Sequence, residues 1–351
     1  MTTILACIRR SLVAAVLMAS IGGCSGDESV ERRVVVYVSV DEHVARAVLD
    51  EFEHRTGIDV LIVGDSEASK TTGLVQRLRS ERDAPVADVF WSSEAMQTIA
   101  LADEGILSPH EIEEWPKRLR DPAGRWFAFS PRPRVIVYDP RRVSEADRPS
   151  TWEEAVDGRF AGRIAMADPR FGTTGGHLAA MESVWCSDGQ PHRFDAFVEG
   201  LRSNRVRILP GGNAAVVEAV VGGEADIGFT DADDVRAARA RGLEIEMLTP
   251  RHHRDAGGGT FMMPNTVAIV EGGSNSAEAV RLLEFLLSAD VARMLARSVS
   301  GNMPLQPEVA SEFPELVIDD PLDVDLNDAA SRLSSVLRRT VEAVRLPGGS
   351  P

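Results

Sequence analysis

Tyrosine occurs only twice in 351 residues, at Tyr37 and Tyr138, and all aromatics together make up 5% of the chain. A site that encloses an organic cation with several aromatic faces therefore has little to draw on. Cysteine is nearly as scarce, limited to Cys7, Cys24 and Cys186. A disulfide framework is excluded once an N-terminal leader is removed, and stability must come from packing. Positive charge is short as well: 38 Lys and Arg face 54 Asp and Glu, for a formal net charge of −16. That balance argues against nucleic acid, which is attracted to basic faces. No segment approaches the about twenty consecutive apolar residues of a membrane-spanning helix. Missing, too, are a Gly-x-Ser-x-Gly elbow, a P-loop and a His-Glu-x-x-His pair, so nothing marks an enzyme.

What is present begins at the N-terminus. Arg9-Arg10, the apolar run Leu12–Ile21 and the small residues before Cys24 form an export leader over residues 1–23. Ile21-Gly-Gly-Cys24 resembles the lipobox of bacterial lipoproteins, in which the cysteine is diacylated and becomes the new N-terminus. The resemblance implies a protein on the periplasmic or cell-surface side, tethered to a bacterial membrane by lipid at Cys24. Loss of Arg9 and Arg10 with the leader moves the formal charge from −16 to −18. Residues 24–33 are polar and form a flexible tether.

Beyond the tether, β-branched runs alternate with helical periodicity. Strands are expected at 34–40, 58–63, 87–91, 134–138, 163–167, 205–209, 225–230 and 266–270. Helices are expected at 41–55, 73–82, 94–104, 213–221, 277–287, 290–296 and 328–344, with others opening after Thr151, Thr173 and Asp231. Such alternation indicates an α/β protein with mainly parallel sheets. The end of the chain, Pro347-Gly-Gly-Ser-Pro351, should fray.

Val35–Glu42, Phe52–Val60, Ala87-Asp-Val-Phe-Trp91 and Gly223-Glu-Ala-Asp-Ile-Gly228, in that order, resemble the type II solute-binding proteins of ABC importers, and within them the ferric-iron-binding branch. The resemblance implies a two-lobed periplasmic-binding-protein type II fold, each lobe a mainly parallel sheet flanked by helices and joined to the other by crossover strands. Lobe 1 would comprise 34–130 with 262–300, lobe 2 would comprise 131–261, and 301–351 would form a helical segment packed on both. Ligand is held in the cleft between lobes, and the implied partner is an ABC permease, with the binding protein itself a monomer.

In open α/β sheets ligands sit beyond the carboxyl ends of strands, near helix N-termini. Four such junctions stand out. At Ser39-Val-Asp-Glu42, Ser39 and Glu42 read as a capping box, while Asp41 takes the place where ferric-binding relatives often carry a histidine ligand. At Phe90-Trp-Ser-Ser-Glu94, Glu94 matches the family position that supplies a carboxylate ligand. At Asp231-Ala-Asp-Asp234 the family's adjacent tyrosines are replaced by Asp231, Asp233 and Asp234, more acid than helix capping needs. The fourth, Gly172-Thr-Thr-Gly-Gly176, carries no acid; its backbone N–H groups with Thr173, Thr174 and Asn213 suit an anion. His252-His253, beside Arg251 and Arg254, reads as a surface cluster.

Clustered carboxylate oxygens favour a hard cation and repel an anionic solute. The expected cargo is iron, as Fe3+, held by Asp41, Glu94, Asp231, Asp233 and Asp234, with phosphate or carbonate bridging from the Thr-Thr loop. Another divalent metal, or an organic cation such as a polyamine or thiamine, is the alternative cargo. A solute-sensing receptor domain is the alternative role.

Overall fold

The computed structural model describes residues 32–64, 70–253 and 255–344; the leader, Cys24, nearly all of the tether and the last seven residues lie outside the described residues. From β1 (Arg33–Val38) the chain passes through α1 (Glu42–Thr56) to β2 (Asp59–Gly64), through α2 (Lys70–Ser80) to β3 (Val89–Ser92), and through α3 (Met96–Asp103) to the short β4 (Leu107–Ser108). The long β5 (Phe127–Tyr138) follows, then α4 (Trp152–Ala155), β6 (Ile164–Ala167), α5 (Thr173–Ser187), α6 (His192–Ser203), β7 (Arg207–Leu209), α7 (Gly212–Val221), β8 (Ile227–Asp231), α8 (Ala232–Ala240) and β9 (Glu246–Leu248). The chain returns on β10 (Met262–Val270) and ends in α9 (Ser276–Leu286), α10 (Ala289–Arg297), α11 (Pro307–Ala310) and α12 (Leu326–Val344).

The sheet order is β2-β1-β3-β10-β5-β8-β6-β7. Parallel pairs occupy both flanks, β1 with β2 and β3, and β6 with β7 and β8. Antiparallel pairs through β5 and β10 occupy the middle. Strand β5 joins the two flanks: its first part pairs with β10 and its last residues with β8 and β9. Every residue of β5 is buried, and it is largely apolar on both faces except at Ser130, Arg132 and Arg134. The β1 flank packs Val36, Trp91 and Phe129 against α1, α9 and α10. The β8 flank packs Val135, Ala165 and Val217 between strands and α7 and α8. Beneath both runs a third apolar layer in which α12 packs on α3, α5 and α6.

Beyond the short β4, β9 and α11, which the sequence pattern did not mark, two longer elements differ from the sequence expectation. Strand β5 starts at Phe127, not Arg134, because Pro131 and Pro133 look like strand breakers. They are tolerated where the β5–β10 ladder is already irregular: Ser130 has φ +40 and the register shifts between Met263 and Asn265. Helix α6 was not anticipated, although it buries Phe194, Phe197 and Leu201 at helical spacing.

Candidate functional site

Because residues two apart in a strand share a face, Arg132 and Arg134 emerge from β5 together. Directly opposite Arg134 on β8 stands Asp231, its register partner. Arg134 Nη1 lies 2.8 Å from Asp231 Oδ1, and Arg132 Nη2 lies 3.2 Å from Asp231 Oδ2. Asp231 occupies the N-cap position of α8 but makes no capping bond; its carboxylate turns toward the arginines instead. Burial alone would raise its pKa, but Arg134 and Arg132 outweigh burial and hold it below the usual carboxylate value.

The first turn of α8 brings two more acids. Asp233 Oδ2 lies 3.1 Å from Arg132 Nε, and Thr230 donates its hydroxyl to Asp234 Oδ2 at 3.2 Å. One ligand atom from each of Asp231, Asp233 and Asp234 falls within 4.8 Å of the others. From the other flank, Asp41 at the start of α1 closes the same cavity and caps nothing with its side chain. Burial disfavours a charged Arg132, yet Asp233, Asp231, Asp234 and Asp41 together raise its pKa above the ordinary arginine value. Four carboxylates thus surround two guanidinium groups and leave the cleft negative.

Helix α5 supplies the floor. Gly172, with φ +64, turns the chain into it. Thr173 donates to Asp231 Oδ2 at 2.8 Å and accepts from Asn213 Nδ2 at 2.9 Å and Arg134 Nη1 at 3.1 Å. Asn213 Nδ2 also reaches Asp231 Oδ2 at 3.0 Å, and Thr174 accepts from Arg134 Nη2 at 3.4 Å. Asp41, Arg132, Thr173, Asn213, Asp231, Asp233 and Asp234 line one inner cavity of about 40 Å³. Outside it opens a wider space of about 740 Å³ bounded by α1 on one side and α7 and α8 on the other.

The structure brings together Asp41, Asp231, Asp233, Asp234, Thr173 and Asn213, with Thr174 one layer behind. It does not bring Glu94 to them. Glu94 is buried beside Gly175 and Gly176 and accepts from the Met96 and Gln97 N–H groups at 2.9 and 3.0 Å, capping α3. Burial pushes its pKa up to about 7. No capping box forms between Ser39 and Glu42: the Ser39 hydroxyl accepts from the Ser93 N–H at 2.8 Å and from Thr71 at 3.0 Å. Neither tyrosine lines the cleft; Tyr37 donates to Glu81 at 2.7 Å, and Tyr138 sits under Arg148. His252 is not a surface residue but is fully buried, 2.8 Å from His177 between their Nε2 atoms. Arg132 and Arg134 were missed. The available signal was two cations at alternate positions inside an apolar stretch, hidden by the intervening prolines.

A cleft flanked by two sheet halves, with carboxylates converging from both sides on a small cavity, defines the class: a solute-binding protein. Residues 84–325 match the family of bacterial extracellular solute-binding proteins, and the chain belongs to that family. Iron uptake protein A1 of Synechocystis is 27% identical over 298 residues, covering 80% of this chain and 79% of that protein. The major ferric iron-binding protein of Neisseria meningitidis is 27% identical over 314 residues, covering 87% and 88%. Among solved structures, iron-bound HitA from Pseudomonas aeruginosa superposes with a TM-score of 0.73 at 23% identity, covering 88% of this chain and 99% of that one.

Proposed function

We propose that this protein is the extracytoplasmic binding component of an ABC importer, lipid-anchored at Cys24, and that its cargo is iron taken as Fe3+. The observation that carries the reading is the convergence of Asp41, Asp231, Asp233 and Asp234 on one small cavity, where they outnumber Arg132 and Arg134. Hard carboxylate oxygens suit a hard cation. The iron-named relatives point the same way. In this reading Asp41 comes from lobe 1 (34–130 with 262–300), and Asp233 and Asp234 come from lobe 2 (131–261). Lobe closure brings them onto the ion, and the closed monomer presents it to a permease. Thr173, Thr174 and Asn213 remain an anion cradle, with Arg134 added to them.

The test is metal analysis of mature protein purified without chelators, followed by titration with ferric citrate, Mn(II) and spermidine. Iron binding near one equivalent supports the reading. Spermidine binding by metal-free protein, or no uptake of any metal, would overturn it.

A further inference from the structure

The strongest anion-binding arrangement in the described residues is already occupied by the protein itself. At the N-terminus of the fifteen-residue α5 stand the hydroxyl of Thr173, the amide of Asn213 and the wholly buried guanidinium of Arg134. Aligned N–H groups at a helix start, a fixed cation and two neutral donors are what a small oxyanion requires. All three side chains point at the carboxylate of Asp231. One of its oxygens takes Arg134; the other takes Thr173, Asn213 and Arg132. A carboxylate offers about four lone-pair sites, and here four donors approach them. Three of these crowd Oδ2 and Arg134 takes Oδ1, so the Asp231 carboxylate is committed to the cradle.

From this geometry we infer that Asp231 is a built-in anion: it permanently fills the cradle made by Arg134, Thr173 and Asn213, so the protein takes up its cation without a free phosphate or carbonate. This rests on the iron reading only for the identity of the cation. The charge argument is independent of it. With Asp231 in place, the two arginines are partly neutralised and the outer acids keep their surplus. Without Asp231, Arg134 would be a buried cation lacking its main counterion, and a dissolved anion would be drawn to it.

The experiment uses the mature protein and two variants, Asp231→Gly, which empties the space, and Asp231→Asn, which fills it without charge. Melting temperatures are measured against inorganic phosphate, bicarbonate, acetate and formate, with chloride at matched ionic strength as reference. Wild type and Asp231→Asn should not respond beyond chloride. Asp231→Gly should melt lower and recover saturably with the small oxyanions. In parallel, wild type should hold the same iron after loading in buffers with and without phosphate and bicarbonate. A saturable phosphate response in wild type, or a tenfold dependence of its iron affinity on either anion, would overturn the inference. So would a folded Asp231→Gly protein that no anion stabilises. If Asp231→Gly does not fold, the two wild-type measurements decide. If wild type takes no iron in any buffer, the cargo reading falls while the melting series still decides this one.

Discussion

Arg134 and Asp231 face each other across β5 and β8 with Nη1 2.8 Å from Oδ1, and neither side chain has meaningful contact with solvent. Such a pair sits where the two sheet flanks meet, so it governs both the fold and the cleft. Removing one partner leaves an uncompensated buried charge, whereas replacing both with apolar groups can come close to neutral. Because Arg132 still faces Asp231, Arg134→Leu should lower unfolding free energy by less than the about 3–5 kcal/mol of a pair broken outright. Arg134→Leu with Asp231→Leu should recover much of that loss. Urea unfolding of the four proteins in this cycle measures the coupling directly; additive losses would mean that the pair contributes packing and not charge compensation.

The outer acids separate from Glu94 in their effect on binding. Asp233→Asn and Asp234→Asn should each weaken iron affinity by at least about tenfold, the low end of what loss of even an indirect partner does at metal sites. Glu94→Gln should leave affinity within a few-fold, since its carboxylate is turned into α3 and lies off the cleft. Competition titration against a chelator reads all three. A loss in Glu94→Gln equal to that in Asp234→Asn would restore Glu94 as a ligand.

How far could this arrangement be read beforehand? The strand-to-helix junctions were legible because their signals are local: a β-branched run, then Asp or Gly, then helical spacing. That sufficed to single out Asp41, Thr173, Asn213, Asp231, Asp233 and Asp234. What local pattern does not carry is which carboxylate meets which cation. Asp231 and Arg134 lie 97 positions apart, and their meeting is set by the β5–β8 register. Glu94 shows the other side of this: local pattern places it at a plausible ligand position, but does not show that its carboxylate accepts from the Met96 and Gln97 N–H groups of its own helix. The burial of His252 was likewise invisible, because it depends on Trp152 and His177 reaching it from distant parts of the chain.

That histidine pair makes stability depend on pH. The His252 Nδ1 faces the Gly259 carbonyl at 2.7 Å and must donate, so its Nε2 accepts from His177 and both rings are neutral. Burial lowers the pKa of His252 to about 3, and burial with the charge of neighbouring groups lowers that of His177 well below its ordinary value. Between the ordinary histidine pKa of 6.5 and about 3, the unfolded chain binds protons that the folded one refuses. Stability is therefore present above pH 6.5 and lost as pH falls below it. His252→Gln, whose amide can donate to Gly259 and accept from His177, should flatten the loss between pH 7 and pH 5 by about 2 kcal/mol. Comparing variant with wild type isolates this group from Glu94, whose raised pKa acts with opposite sign: it stabilises below its ordinary 4.5 and that contribution is lost as pH rises through about 7. An identical pH profile in the variant would mean that His252 is hydrated and titrates normally.

Iron held by aspartates should be nearly colourless. Intense visible absorption in ferric proteins with tyrosine ligands comes from phenolate-to-iron charge transfer, and both phenols here are committed to the strands that carry them. Burial and Glu81 raise the pKa of Tyr37 above the usual phenol value, which opposes a phenolate. Loading with ferric citrate should add no strong visible band. A strong band that disappears in Tyr37→Phe or Tyr138→Phe would show that a phenol reaches the metal.

Gly175 holds the cradle in position by what it lacks. A Cβ built there would lie 2.3 Å from the Pro169 carbonyl oxygen and 2.9 Å from Leu337 Cδ2 on α12. The first of these neighbours is backbone and cannot swing aside, so alanine must push the first turn of α5 away from the loop or from α12. Alanine gains about 1 kcal/mol in helix propensity over glycine, but overpacking against a fixed neighbour costs about 1–3 kcal/mol. The displaced turn carries Thr173, and with it a donor to Asp231. Gly175→Ala should thus lose stability despite its better propensity, and should weaken iron binding although residue 175 does not line the inner cavity. Gly158→Ala, where a Cβ meets nothing within 4 Å, is the matched control and should be close to neutral. Melting temperature and iron affinity measured on both variants test the point. If Gly175→Ala proved as stable as wild type with unchanged affinity, the α5–α12 contact would be loose enough to yield, and the cradle would not depend on it.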